Sequence, residues 1–316
     1  MKNVHIGWGP VGMTKIISRQ TKKLQLNKSN HTGILDSVFT LSITSEYEEV
    51  PVWQSSNEDV AKVDQNGNVT LVGEGSAIIT VTSGELIGKC SIEVVLSDEQ
   101  RFIRDLQKGG NVKLTTDITL TAPVTIKNTV ILDLNNHDIV MSTEEQDAIW
   151  VLTGGNLTIN GNGNVIGTYY SLYAGGNAQV VINGGNYVGV GAAIYAQSTA
   201  VVEINAGRFE ANNEDPNYRP HDYTLNLKDN SSAQILVKGG EFYNFNPADC
   251  ISEGPNTNFV VSGYESIETE PGIWKVSKIE SKLDATKIYY GVINNGEGLY
   301  TSFDDITEDM IVEGIN

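Results

Sequence analysis

The stretch ANNEDPNYRPHD, residues 211 to 222, concentrates side chains that can do chemistry. His221 beside Asp222 has the make-up of an acid/base pair, in which a carboxylate orients the imidazole and stabilises its charge. Tyr218 and Arg219 add a ring and a fork of donors, which suit contact with a sugar or a protein better than bond breaking. Two prolines stiffen the segment. Tyr218, Arg219, His221 and Asp222 are therefore the expected binding residues, and the bland alternative is a solvated loop of mixed charge.

Other reactive side chains do not assemble in the sequence. His5, His31 and His137 stand isolated, without the close spacing of a metal site. Cys90 and Cys250 lie far apart, which argues against a disulfide framework. GWGPVG near the start lacks the strand-to-helix setting and the Lys-Ser/Thr of a phosphate loop. No catalytic residue, metal or cofactor is expected.

The elements that must carry the 211–222 segment follow from a repeat. Apolar strands precede turns at Ile159, Ile182, Ile204 and Val237, in steps of 23, 22 and 33 residues, and the long step contains the insertion. A second strand, at Ile149, Leu172, Ile194 and Leu227, lies 10 residues before each of these. Gly-rich or small turns join the two, and an aromatic exit follows at Tyr187, Phe209 and Phe242. A period near 22 without a helical pattern predicts a β-solenoid, because one coil cannot bury its own inward side chains and coils must stack. The equivalent aliphatic residues should then form a column, and Asn160, Asn183 and Asn205 a hydrogen-bonded ladder.

Upstream, VKLTTDITLTAPVTIKNTVILDLNNHDIV, and within it Leu132 to Ile139, resembles the opening coils of a right-handed parallel β-helix of the pectin-lyase-like kind. That resemblance implies a scaffold shared by lyases, hydrolases, adhesins and inert fibres, so it does not assign an activity. Lyases of this kind gather carboxylates around calcium, and hydrolases use paired acids on adjacent coils. Asp133, Asp138, Asp147, Asp229 and Asp249 do not fall on one column. Arg208 between Glu203 and Glu210 occupies a single coil and reads as a solvated charge set.

Ahead of the solenoid, LQLNKS, FTLSITS, VPVWQSS, VAKVD, NVTLVG, SAIITVTS and KCSIEVVL alternate apolar and polar residues between turn signals. Seven such segments predict a β-sandwich. Val52 to Thr82, with Trp53, Ser55-Ser56-Asn57, Gly67 and the Gly-x-Gly-x-Ala run ending at Ala77, resembles a bacterial immunoglobulin-like domain of the group 2 type. The resemblance implies a spacer or display module. SDEQRFIRDLQKGG then predicts a short helix with a Ser97/Gln100 capping box, a Phe102/Ile103/Leu106 face and a Gly109 stop, placed to plug the open end of the solenoid. The expected organisation is all-β: a basic arm at 1–22, the sandwich at 23–97, the β-helix with its capping helix at 98–277 ending near Trp274, and a small segment at 278–316.

Charge sets the partner classes. The net charge is -18. The first 35 residues hold six Lys and Arg and no Asp or Glu, so they carry +6 and the rest carries -18 minus 6, or -24. An acidic body disfavours nucleic acid, and no apolar run is long enough for membrane insertion. The basic arm, with Trp8, Lys15, Arg19, Lys22 and Lys23, suits docking onto an acidic partner, with Trp8 as the inserted anchor. The pairing of modules resembles bacteriophage head-fibre and appendage proteins. The start at Met1 without an export signal points the same way. This implies a non-enzymatic virion protein exposed on the particle, a homo-oligomer with a trimer favoured, mounted on other virion proteins such as the major capsid protein, and in contact with a host-surface glycan. A polysaccharide-degrading or receptor-binding tailspike and a bacterial cell-surface adhesin are the alternatives.

Overall fold

A computed structural model describes residues 23–212, 220–254 and 257–279, with the side chains of 220, 221 and 251 excepted. The first unit is an immunoglobulin-like sandwich. Its strands are β1 (Asn30–Ile34), β2 (Val38–Thr40), β3 (Val52–Ser55), β4 (Ala61–Val63), β5 (Asn68–Leu71), β6 (Gly75–Ser83) and β7 (Leu86–Val95). They form a sheet of order β1-β7-β6-β3 facing a sheet of order β2-β5-β4. The period of two buries Cys90, Ile92 and Val94 of β7 and exposes Lys89, Ser91 and Glu93. Leu41, Trp53, Val69, Leu71, Ile79 and Val81 fill the space between the sheets.

One expected strand lies elsewhere. LQLNKS contributes only an isolated bridge from Leu26 to Ile43, and the ladder position beside β7 is taken by NHTGI, running parallel to it. The apolar alternation of the expected strand instead packs Leu24 and Leu26 against the core. In β1, Gly33 lets the backbone approach closely, since a Cβ there would sit 2.4 Å from Leu71 Cδ1.

Helix α1 (Asp98–Lys108) follows, with the expected capping box: Gln100 N–H donates to Ser97 Oγ at 3.1 Å, and Ser97 N–H donates to Gln100 Oε1 at 2.9 Å. Phe102 and Leu106 are buried in the core of the second unit, so the helix closes its end as expected. The same helix ties back to the sandwich. Gln100 Nε2 donates to Leu35 O at 3.3 Å, and Arg104 lies 3.2 Å from Glu74.

The second unit is a β-solenoid. Its first coil holds β8 (Gly110–Lys113), β9 (Ile118–Leu120) and β10 (Val124–Ile126), and the next holds β11 (Thr129–Asp133), β12 (Ile139–Met141) and β13 (Ile149–Val151). Then come β14 (Asn156–Asn160), β15 (Asn164–Gly167) and β16 (Tyr170–Ala174). In the following coils β17 (Gln179–Gly189) and β19 (Val201–Ala211) each run through two faces, followed by β18 (Ala192–Ala196) and β20 (Leu225–Leu227). The last coil holds β21 (Gln234–Val237) and β22 (Gly240–Tyr243). Every coil-to-coil pairing is parallel, so three faces run along the rod.

The expected columns are present. Leu132, Ile159, Ile182, Ile204 and Val237 are in direct register and fully buried. Each such side chain contributes about 1.5–3 kcal/mol through removal from water. Tyr187, Phe209 and Phe242 stack beside them with centroids 5.1 Å apart at each step. Asn183 and Asn205 each donate to the Asn of the preceding coil, completing the amide ladder.

Two expectations are corrected. The second column runs Ile149, Leu172, Ile194 and then Leu225, because Leu227 pairs with Ala196. The turn after β20 is two residues longer than the one after β18, so counting back 10 from Val237 stops two residues short. The rod also does not end as a coil near Trp274. β23 (Tyr264–Glu270) and β24 (Ile273–Lys278) form an antiparallel hairpin, and β24 pairs antiparallel with β22. A reversed hairpin covers the last coil's free edge where another coil would leave a new one.

Candidate binding face

The insertion after β19 is placed only in part. Tyr218 and Arg219 lie outside the described residues, as do Trp8, Lys15, Arg19 and Lys22 of the arm, while Lys23 is exposed. His221 lies in the backbone of a short 3-10 turn, Pro220–Tyr223. Asp222 is half-buried, and its carbonyl accepts hydrogen bonds from Ser252 Oγ and from Cys250 Sγ, the latter at 3.7 Å. These bonds fasten the base of the insertion to the last coil. Burial pushes the Cys250 thiol up, away from reactivity.

Residues isolated in the sequence meet in space. His137 Nδ1 lies 3.0 Å from Asp117 Oδ1. The backbone N–H of Asp138, and then His137, hold the Asp117 carboxyl below its usual range. Glu203, which the sequence grouped with Arg208, pairs with Lys238 at 2.7 Å, while Arg208 lies 3.6 Å above the Tyr243 ring. Among the described residues no three His, Cys, Asp or Glu side chains gather as a metal site.

The feature missed in the sequence is a file of rings on the outer side of the face β10-β13-β16-β18-β20. Ile149, Leu172 and Ile194 point inward, so the next residues point outward. These are Trp150, Tyr173 and Tyr195, in strict register. The signal was therefore one position beyond a column already visible. Ring centroids are 6.1 Å apart for Trp150 and Tyr173 and 5.6 Å for Tyr173 and Tyr195. Tyr170 stacks on Tyr195 at 4.6 Å and 2°, and Tyr169, which is 43% exposed, packs on Tyr170 at 4.2 Å. Stacked and tilted ring pairs add about 0.5–1.5 kcal/mol each beyond area burial.

Polar groups fix the rings. Trp150 Nε1 donates to Asp147 Oδ2 at 2.6 Å, and the Tyr170 backbone N–H donates to Asp147 Oδ1 at 3.0 Å. Gln197 Nε2 donates to Tyr173 Oη. Asp147 is only 8% exposed, and burial raises its carboxyl above the usual range against the pull of these two donors. Burial likewise raises Glu253, whose carboxylate accepts from Leu227 N–H at 2.7 Å. Burial raises the Tyr170, Tyr173 and Tyr195 phenols, and the neighbouring tyrosines push Tyr170 and Tyr195 further up.

Beside Tyr173 lies a shallow groove of about 310 Å³, lined by Lys127, Leu152, Thr153, Gly175 and Gln197 among others. A Cβ on Gly175 would lie 2.9 Å from the Tyr173 ring, so the missing side chain keeps that ring accessible. A larger depression, of about 620 Å³, crosses the sandwich at His31, Ile78 and Glu93. Its one ring, His31, is already engaged by Phe39 at 3.8 Å and Lys28 at 3.2 Å.

Fold and face define an all-β protein in which an immunoglobulin-like module precedes a β-solenoid bearing an external aromatic file. Residues 51–85, which span β3 to β6, match the family described as "Intimin, immunoglobulin-like domain". Intimin of Escherichia coli O111:H- is 54% identical over 33 residues, which is 10% of this chain and 4% of that protein. Two solved structures are similar in part. The S-layer protein SbsC domains 4 and 5 show 20% identity over 23% of this chain and 51% of theirs, with a TM-score of 0.20. An EHEC O157:H7 intimin mutant shows 29% identity over 24% of this chain and 44% of its own, also with a TM-score of 0.20.

Proposed function

We propose that this chain is an adhesion-type structural protein exposed on an exterior surface, a stiff rod that presents its long faces and performs no catalysis. The observation that carries this is the unbroken parallel stacking of coils over aliphatic and aromatic columns. Such a rod has few loops for proteases and a long side for contact. In the finer form of this reading the sandwich is of the bacterial group 2 type, and the surface is a bacteriophage virion. There the chain would be a head fibre, spike or decoration protein, assembled as a homotrimer. The arm at 1–22, which holds Lys2, Lys15, Arg19 and Lys22 and no Asp or Glu, supports docking on an acidic virion protein, such as the major capsid protein.

A bacterial cell-surface adhesin is the second reading, favoured by the match of residues 51–85 to an intimin module. Immunogold labelling of a producing culture separates the two. Gold on purified phage particles is expected, gold confined to the cell envelope selects the adhesin, and gold confined to the cell interior overturns the exterior reading. Release of reducing or unsaturated sugars from bacterial capsule by the purified chain would overturn the non-catalytic part.

A further inference from the structure

We propose that the groove beside Tyr173, with the ring file Trp150–Tyr173–Tyr195, is a binding site for an uncharged, hydroxyl-rich glycan chain. The inference rests on the reading of the chain as an exterior contact protein and adds the ligand and its place.

Four observations support this assignment. First, the rings form a row with one outward aromatic on each of three successive coils, at 6.1 and 5.6 Å. A row along the rod fits a polymer of repeating rings better than a single compact molecule. Second, the rings are held before any ligand arrives, by Asp147 on Trp150, Gln197 on Tyr173 and Tyr170 on Tyr195. Pre-ordered side chains lose little entropy on binding, which matters for the weak contacts a sugar offers. Third, the groove beside Tyr173 mixes a ring with Thr153, Gln197 and Lys127, so both the C–H faces and the hydroxyls of a pyranose find partners. Its roughly 310 Å³ matches the lower end of small-ligand sites and is kept open by Gly175. Fourth, the chain carries a net charge of -18, and Lys127 is the one charged residue lining the groove. The net charge repels polyanions, and the phenol of Tyr173, the amide of Gln197 and the hydroxyl of Thr153 oppose a lipid or other apolar ligand.

A second copy of the chain is a poorer occupant. Three adjacent strands span only about 15 Å. A stable interface needs about 800 Å² from each partner, more than this strip of rings supplies.

The test is affinity electrophoresis of the full chain through gels containing mannan, dextran or a soluble β-glucan, with polygalacturonate as the anionic comparison. Retardation by at least one neutral polymer and none by polygalacturonate is expected. Tyr173→Ala and Gly175→Ala should each weaken retardation about tenfold, the size of loss typical of a central contact residue. Tyr173→Phe, which keeps the ring, should lose less. Circular dichroism of each variant guards against misfolding, and Ile131→Ala, at an exposed site on another face, should bind as the parent does. Three results would overturn the proposal: no retardation by any neutral polymer, equal retardation by polygalacturonate, or unchanged retardation of folded Tyr173→Ala. A shift of the Tyr173→Ala variant from oligomer to monomer in sedimentation, without loss of retardation, would identify the face as a contact between copies instead. Immunogold placement on an exterior surface is read separately, so failure here leaves the location standing, and failure there leaves the binding data intact.

Discussion

Asn183 Nδ2 donates to Asn160 Oδ1, one coil earlier, at 2.8 Å, and its own Oδ1 accepts from Asn205 at 2.9 Å. Asn183 is thus the middle rung of an exposed amide rail that links three coils outside the backbone ladder. Replacing it with Ala removes two side-chain bonds and leaves Asn160 and Asn205 to water. Each such bond nets about 0.5–1.5 kcal/mol, so Asn183→Ala should lower stability by about 1–3 kcal/mol. Denaturant titration followed by circular dichroism checks this, and a loss below about 0.3 kcal/mol would show the rail to be ornamental.

Phe209 lies between Tyr187 and Phe242 with no exposed surface. Phe209→Ala would open a cavity in a stack that cannot collapse, because the parallel backbone on both sides fixes the spacing. The expected loss is about 3–5 kcal/mol, and Phe209→Leu should lose clearly less. Equilibrium unfolding in guanidinium reads both. Equal losses for the two variants would mean that ring stacking, not volume, sets the energy.

The solenoid was legible because its signal repeats: Ile159, Ile182 and Ile204 each pair with the next, as their spacing required. Register failed where a turn changed length, between Leu227 and Gln234, since a count along the chain cannot see two extra turn residues. The sandwich was legible as a class, yet β1 was misplaced because both LQLNKS and NHTGI can alternate and tertiary pairing with β7 decides. The ring file was present as Trp150, Tyr173 and Tyr195, but aromatic residues in strands ordinarily signal packing. Their role as an outward row depends on which side of each strand meets the core. The pairing of His137 with Asp117 across coils was invisible for the same reason, since it depends on coil register.

Gly163 tests how closely coils approach. Its φ is +142°, and a Cβ there would lie 2.1 Å from the His137 carbonyl oxygen of the preceding coil. Gly110 also has positive φ, +78°, but its Cβ would meet nothing within 4 Å. Gly110→Ala should cost about 1 kcal/mol from backbone strain alone. Gly163→Ala should cost more, because backbone must move on both coils. Thermal melts of the two variants decide it. Equal melting temperatures would show that the coils yield at this corner without cost.

Asp147 gives the pH dependence of the aromatic face a sign. Burial raises its folded carboxyl above 3.8, so the folded chain binds that proton more tightly than the unfolded chain. The stabilisation is complete below the unfolded value and is lost as pH rises through the folded one, in a window opening upward from about 4. Glu253, also raised by burial, acts in the same direction. Melting temperature should therefore fall from pH 4 towards pH 7 by more in the parent chain than in Asp147→Asn. The Asn variant still offers an acceptor to Trp150 Nε1 or Tyr170 N–H and carries no proton to lose. Self-repulsion of a chain with net charge -18 has the same sign, so the exposed Glu144→Gln variant serves as control for removal of one charge. Asp147→Ala, which strands both donors, should lose about 1–3 kcal/mol and restore no pH dependence. If Asp147→Asn and Glu144→Gln flatten the profile equally, the carboxyl is not held in its buried state by the rings, and the ring file is softer than its geometry implies.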